Sequence, residues 1–289
     1  MPKLLFIIGM QKSGTSLLNR MLMQQGCISN PFLPEGKFFW GDNPPFSPVD
    51  KPCGELFQSH SGLNGHHLDE TDFRLKDQHL LVNRIEQANV NTPILMSKNP
   101  YNSLRVRWLK AMFPQCVIVS IHRNPVANIY SLLKKYVQQD NPGAAPEKGW
   151  WGIKPKKWST LLSVNKLIQS TQQWAMVNQE IINNVTHIDL LINYKTLCEQ
   201  PNRCIQQILS TCGSYQQSIQ FPPCENLNNE YLTGSRLLSK NRELNKSNDF
   251  SLNHLNEKLE FSPLKLKQIN EIQRLTEPLW QQLNKKESL

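Results

Sequence analysis

Four short apolar runs restrict the fold more than any other feature of the chain. They are KLLFIIG (3–9), PILMS (93–97), CVIVSIH (116–122) and HIDLLIN (187–193), and a helical pattern follows each of them. Apolar runs this short, without polar alternation, read as strands buried on both faces. The helical segments span 16–26, ending at Gly26, and 102–113, stopped by Pro114. A third, 125–139, opens with Pro125 in its first turn, and a fourth, 194–213, continues past Pro201. Strands that alternate with helices predict a three-layer α/β fold, a central parallel sheet flanked by helices on both faces. Two segments break the rhythm. Residues 27–92 are rich in Pro, His and polar residues before turning helical near Asp77, and 140–160 carry three tryptophans and several lysines. Long aromatic loops in a compact fold are functional more often than disordered. The expectation is one domain over 1–289, with insertions around 40–76 and 140–160 covering the ligand end of the sheet.

The 289 residues suffice for a sizeable core. Lys and Arg number 32 against 23 Asp and Glu, a net charge of +9, which favours an anionic ligand. No RNP, helix-turn-helix or zinc pattern accompanies the charge, so nucleic acid is not the expected partner. The seven cysteines, 27, 53, 116, 198, 204, 212 and 224, are odd in number and form no CxxC pair. Free thiols in a reducing compartment are expected, not disulfides or a zinc site. No apolar run reaches about 18 residues, so no membrane span is expected. The opening MPKLLFIIG is too short for a signal peptide. A cytoplasmic setting follows as the expectation, and the N-x-[ST] matches at Asn184 and Asn245 then carry no meaning.

The chemistry starts where the first strand ends, in GMQKSGTS (9–16). A strand, a glycine-bearing turn and a helix N-terminus form an anion site, because unpaired N–H groups and the helix dipole point at the ligand. The triphosphate motif GxxxxGK[ST] requires lysine after the second glycine. Here Lys12 precedes Gly14 by two residues, so that fingerprint fails. The candidate strands also lack a terminal Asp to hold magnesium. A magnesium-dependent kinase or ATPase is therefore disfavoured, and no metal is expected.

KSGTS after a strand resembles the phosphosulfate-binding loop of sulfotransferases, enzymes of P-loop-like α/β fold that need no metal. Their donor is 3′-phosphoadenosine 5′-phosphosulfate (PAPS), and adenosine 3′,5′-bisphosphate is the product. The resemblance implies donor contacts from Lys12, Ser13, Gly14, Thr15 and Ser16. VIVSIHRNPVANIYSLL (117–133) resembles the second signature of that family, which implies that Arg123 and Ser131 bind the 3′-phosphate. LMSKNPYNSLRVRWLKAMFP (95–114) is similar to the Lys-x-Pro stretch of the tyrosylprotein and heparan-type branch. Lys98 there matches the lysine that contacts the transferring sulfuryl group. The histidine base of the phenol and steroid enzymes is absent, since Asn99 and Pro100 follow Lys98. The glutamate branch instead implies Glu35, twenty residues past Thr15, as general base. Phe38, Phe39 and Trp40 beside it would partly desolvate the carboxylate and suit it to proton abstraction.

LLINYKTLCEQP (190–201) resembles the strand, tyrosine and helix ahead of the family's last third. TGSRLLSKNREL (233–244) falls where the family places a basic loop over the 3′-phosphate, which implies Arg236, Lys240 and Arg242. His60, His66, His67 and His79 are rival bases, each expected at the surface. HHLDETD (66–72) has no recognised metal-ligand spacing, and Trp150, Trp151 and Trp158 either stack on the acceptor or pack their own loop. The resemblance implies sulfuryl transfer to a hydroxyl or amine of a small-molecule, glycolipid or carbohydrate acceptor. A P-loop nucleotide or metabolite kinase and an inactive nucleotide-binding protein are the alternatives, and the oligomeric state stays open.

Overall fold

The computed structural model describes residues 2–46, 52, 54–58, 65–137, 149–213 and 266–287. Five parallel strands form one sheet in the order β2-β3-β1-β4-β5. They are β1 (Lys3–Ile8), β2 (Ile28–Ser29), β3 (Ile94–Lys98), β4 (Val117–His122) and β5 (Leu190–Asn193). The predicted three-layer α/β architecture is what is found, and the four apolar runs supply β1, β3, β4 and β5. The edge strand β2 is two residues long, too short to leave a periodic signal.

The reason for the apolar runs is visible in the packing. Leu4, Phe6 and Ile8 of β1 face one core, whereas Leu5 and Ile7 face another on the opposite side. The first core is shared with α3 (Leu75–Gln87), α4 (Val106–Met112), α5 (Pro125–Val137), α6 (Lys166–Asn183) and α9 (Leu266–Lys285). The second is shared with α1 (Thr15–Met23), α7 (Tyr194–Glu199) and α8 (Pro201–Thr211). Both faces are covered, so neither can be polar. A short α2 (Glu55–Gln58) lies in the first insertion. Each fully buried side chain of this size contributes about 1.5–3 kcal/mol of transfer free energy.

Boundaries moved where local rules outweighed the apolar pattern. The segment 102–113 is not one helix. Asn99 caps a 3-10 turn at Pro100–Leu104 by accepting from the Tyr101 N–H at 2.9 Å, and α4 begins only at Val106. Segment 194–213 is broken at Gln200, because Pro201 cannot donate back into α7 and instead starts α8. α1 stops at Met23, ahead of Gly26. Helices α6 and α9 follow no strand directly and were not expected.

Register brings the strand ends together. Ile7 pairs with Lys98 on one side of β1, and Ile8 pairs with Ser120 of β4 on the other. The chain leaves β1 toward β2 on one side and leaves β4 toward β5 on the other. The C-terminal ends of β1 and β4 thus flank the point where strand order reverses, which is where open α/β sheets bind ligands.

Candidate active site at the phosphate loop

The turn after β1 leads through Gly14 straight into α1, the strand–turn–helix arrangement expected of an anion site. α1 starts at Thr15 with Gly14 at the cap position, no capping side chain and no acidic residue in its first turn. Its first N–H groups are therefore available to an anion. Two hydrogen bonds hold the loop from behind. The Gly9 N–H donates to Ser103 Oγ at 2.8 Å, and Asn128 Nδ2 on α5 donates to the Gln11 carbonyl at 2.8 Å. Ser13 and Thr15 are buried, Ser16 is half-buried and Lys12 is exposed. Lys12 takes a left-handed backbone, φ 69°. A non-glycine residue held there by its surroundings is an observed outlier of the kind that gathers at functional sites.

Lys98 and Glu35 reach the same spot from different elements. Lys98 ends β3, next to β1, and its side chain is only 3% exposed. Its ammonium donates to Ser16 Oγ at 3.3 Å and forms an ion pair with the Glu35 carboxylate. Glu35 is also left-handed, φ 52°. Its loop is tied to α1 by Asn30 Nδ2, which donates to Asn19 Oδ1 at 2.6 Å, while Asn30 Oδ1 accepts from the Phe32 N–H. The aromatic residues that follow do not enclose the carboxylate as expected. Phe39 and Trp40 turn into the core against Phe6, Phe113 and Trp108, and Arg84 lies over the Phe38 ring. The apolar rings are drawn to apolar partners, and the carboxylate is left facing an ammonium.

Arg123 follows β4 across the cleft. Its Nη1 donates to the Lys12 carbonyl at 3.2 Å, and its guanidinium lies 4.5 Å from the centre of the Tyr194 ring. Asn124 caps α5 by accepting from the Val126 and Ala127 N–H groups, and Ser131 lies half-buried on that helix. Behind Arg123, burial pushes His122 down to about 4. Its Nε2 lies 3.4 Å from Asn284 Oδ1, and Asn284 also accepts from Asn193 Nδ2. Glu287, just past α9, accepts from the Asn193 N–H at 3.2 Å and from Thr196 Oγ1 at 2.6 Å, so the end of α9 and the residues after it are tied to the ends of β4 and β5.

The same Tyr194 ring closes against the phosphate loop. A Cβ on Gly14 would overlap it, and Gly14 has φ 111°. Tyr194 is half-buried beside Cys198, Arg123 and the loop. Gly14→Ala is expected to destabilise the protein by about 1–3 kcal/mol, through strain at a disallowed backbone angle. Denaturant unfolding checks this, and an unchanged midpoint would contradict it.

Two of the histidines expected at the surface are drawn inward. His66 is buried, and His67 sits 4.0 Å from Glu180, with its proton affinity lowered first by burial. His79 is exposed, as expected, and His60 lies outside the described residues. Asp69 and Asp72 form a capping box on a 3-10 turn at Glu70–Asp72, which explains the acidic part of HHLDETD. Trp150 and Trp151 are buried, Trp151 as part of the first core, and Trp150 packs edge-on against Trp158 of its own loop. Cys27, Cys116, Cys198, Cys204 and Cys212 are free thiols, all buried. Arg236, Lys240 and Arg242 lie outside the described residues. Among the described residues, no helix is long and apolar enough to cross a membrane.

A parallel sheet whose central strand runs through a glycine-bearing turn into a helix places the chain in the α/β class. Within that class the chain belongs to the sulfotransferase family: residues 2–216 match the family model described as "Sulfotransferase family". Solved structures are similar to this chain. The sulfotransferase domain from the curacin biosynthetic pathway is similar at 19% identity and a TM-score of 0.50, over 97% of this chain and 98% of that one. The sulfotransferase domain from the Synechococcus PCC 7002 olefin synthase is similar at 17% identity and a TM-score of 0.46, over 95% of each chain. No curated protein sequence matches the chain.

Proposed function

We propose that this chain transfers a sulfuryl group from PAPS to a hydroxyl or amine of a small-molecule, glycolipid or carbohydrate acceptor, with Glu35 as general base. The observation that carries this reading is the cluster around Lys98. One ammonium touches Ser16 at the helix N-terminus and the Glu35 carboxylate, which puts a base and a cation at the mouth of an anion cradle.

In the proposed reaction, Glu35 takes the proton of the attacking hydroxyl or amine. The acceptor atom bonds to sulfur as the bond from sulfur to the bridging phosphate oxygen breaks. The electron pair of that bond stays on the oxygen of departing adenosine 3′,5′-bisphosphate. Lys12 and the first N–H groups of α1 stabilise the charge that grows there, in positions fixed before the reaction. Lys98 bears on the sulfuryl oxygens, handing off from Glu35 as the carboxylate accepts its proton. Arg123 suits the 3′-phosphate, because its guanidinium, oriented by the Tyr194 ring and the Lys12 carbonyl, is a planar multi-donor cation that matches a phosphate. Ser13, Gly14, Thr15, Ser16 and Ser131 complete the donor contacts in this reading, and one sulfotransferase domain comprises the whole chain.

Calorimetry separates this reading from a kinase on the same scaffold. Adenosine 3′,5′-bisphosphate is expected to bind, and ATP with magnesium to bind much more weakly. The reverse order would overturn the assignment. Incubation with radiolabelled PAPS and a cell extract would then identify what acquires the label.

A further inference from the structure

The two insertions are joined to each other and to the phosphate loop. The His66 N–H donates to the Lys154 carbonyl at 2.8 Å, and the Lys154 N–H donates back to His66 Nδ1 at 2.8 Å. His66 is 6% exposed and packs edge-on to Tyr101 at 4.7 Å. Its carbonyl accepts from Arg105 Nε at 2.9 Å, and the buried Arg105 guanidinium lies against both the Trp40 and the Phe57 rings. Next in the chain before Lys154 comes a short strap, Trp151–Ile153. Gln173 on α6 grips it by donating to the Trp151 and Ile153 carbonyls at 2.9 and 2.8 Å. At its centre Gly152 lies on the Gln11 side chain, and φ there is +86°, so a Cβ would be both strained and in collision with that amide. Gln11 belongs to the phosphate loop and is held from the other side by Asn128.

We propose that His66 is a positioning residue for the phosphate loop: through its Nδ1 it seats the 151–154 strap, and the strap clamps Gln11. The acceptor-side insertion thereby sets the order of the donor cradle through the strap. The physical basis is cost. The Lys154 N–H is part-buried, and an N–H left there without its acceptor is costly, so the strap lifts rather than stay with an unmade bond. His66 acts as an acceptor here, which requires the neutral ring with its proton on Nε2.

Two substitutions divide the contributions. His66→Phe keeps an aromatic ring on Tyr101 but removes the acceptor, whereas His66→Asn loses the ring but can present Oδ1 where Nδ1 was. Amide hydrogen exchange of a peptide covering residues 9–16, in the ligand-free protein, is expected to be faster in His66→Phe and close to wild type in His66→Asn. Gly152→Ala, which alters the clamp without touching His66, is expected to speed the same exchange. Affinity for adenosine 3′,5′-bisphosphate should fall about ten-fold in His66→Phe, the equivalent of one hydrogen bond.

Wild-type exchange in His66→Phe would overturn the proposal. So would equal acceleration in both His66 variants, which would assign the effect to ring packing. The affinity readout rests on the PAPS reading, but the exchange readout does not. If the wild-type protein failed to bind adenosine 3′,5′-bisphosphate, the donor assignment would fall while the exchange comparison still decided the role of His66.

Discussion

Lys12→Ala is expected to lower transfer from radiolabelled PAPS into acceptors of a cell extract by about 10²–10³-fold, the loss that follows removal of one pre-organised donor from a developing oxyanion. The effect belongs to the reaction and not to folding. Lys12 is exposed, so truncation removes no core packing. Its backbone is left-handed at φ 69°, and that strain is present with lysine or alanine alike. The contact Arg123 makes here is to the Lys12 carbonyl, which alanine retains. Unfolding midpoint and circular dichroism should therefore match wild type while transfer collapses. Lys12→Arg restores charge but not the compact point donor, and should recover only part of the rate. Wild-type-like transfer in Lys12→Ala would sink the phosphosulfate assignment of the loop.

What the sequence disclosed and what it withheld divide along a physical line. Strands β1, β3, β4 and β5 were legible because a strand buried on both faces has to be apolar throughout. The phosphate loop was legible because its glycines and lysine fall within eight consecutive residues. Lys98 and Arg123 were legible for a related reason, since each directly ends or follows a buried strand. The supports of the site were hidden because they join distant parts of the chain. Asn128 holds Gln11 across 117 positions, and Lys154 meets His66 across 88. Nothing local in GLNGHHLDE announces that one of its histidines serves as an acceptor for a backbone amide. One signal was readable in hindsight. Asn128 lies on the buried face of α5, and a polar side chain there needs a partner. The aromatic residues after Glu35 misled for a different reason. Neighbours in sequence are not neighbours in space once a 3-10 turn at Phe38–Trp40 swings the rings into the core.

Glu35→Gln is expected to cut transfer by about 10²–10⁴-fold, the usual contribution of a positioned general base, with donor affinity nearly intact. The amide has the shape of the carboxylate but cannot take the acceptor's proton. Its effect on Lys98 sharpens the test. The Lys98 side chain is 3% exposed and Glu35 is 27% exposed, so the pair is partly screened on the glutamate side and well shielded on the lysine side. Removing one partner of a fully buried pair costs about 3–5 kcal/mol. Here the loss should be smaller, because the glutamine carbonyl and Ser16 Oγ both still accept from the ammonium, and the glutamate side is open to water. Freed from a carboxylate, Lys98 is more available to an incoming anion. Adenosine 3′,5′-bisphosphate should therefore bind Glu35→Gln at least as tightly as wild type. Lys98→Met gives the opposite pattern, with transfer and donor affinity falling together. Calorimetry and labelled-PAPS transfer on the two variants make the comparison. Loss of donor binding in Glu35→Gln would make the carboxylate a structural anchor for Lys98, and undiminished transfer would remove it from the chemistry.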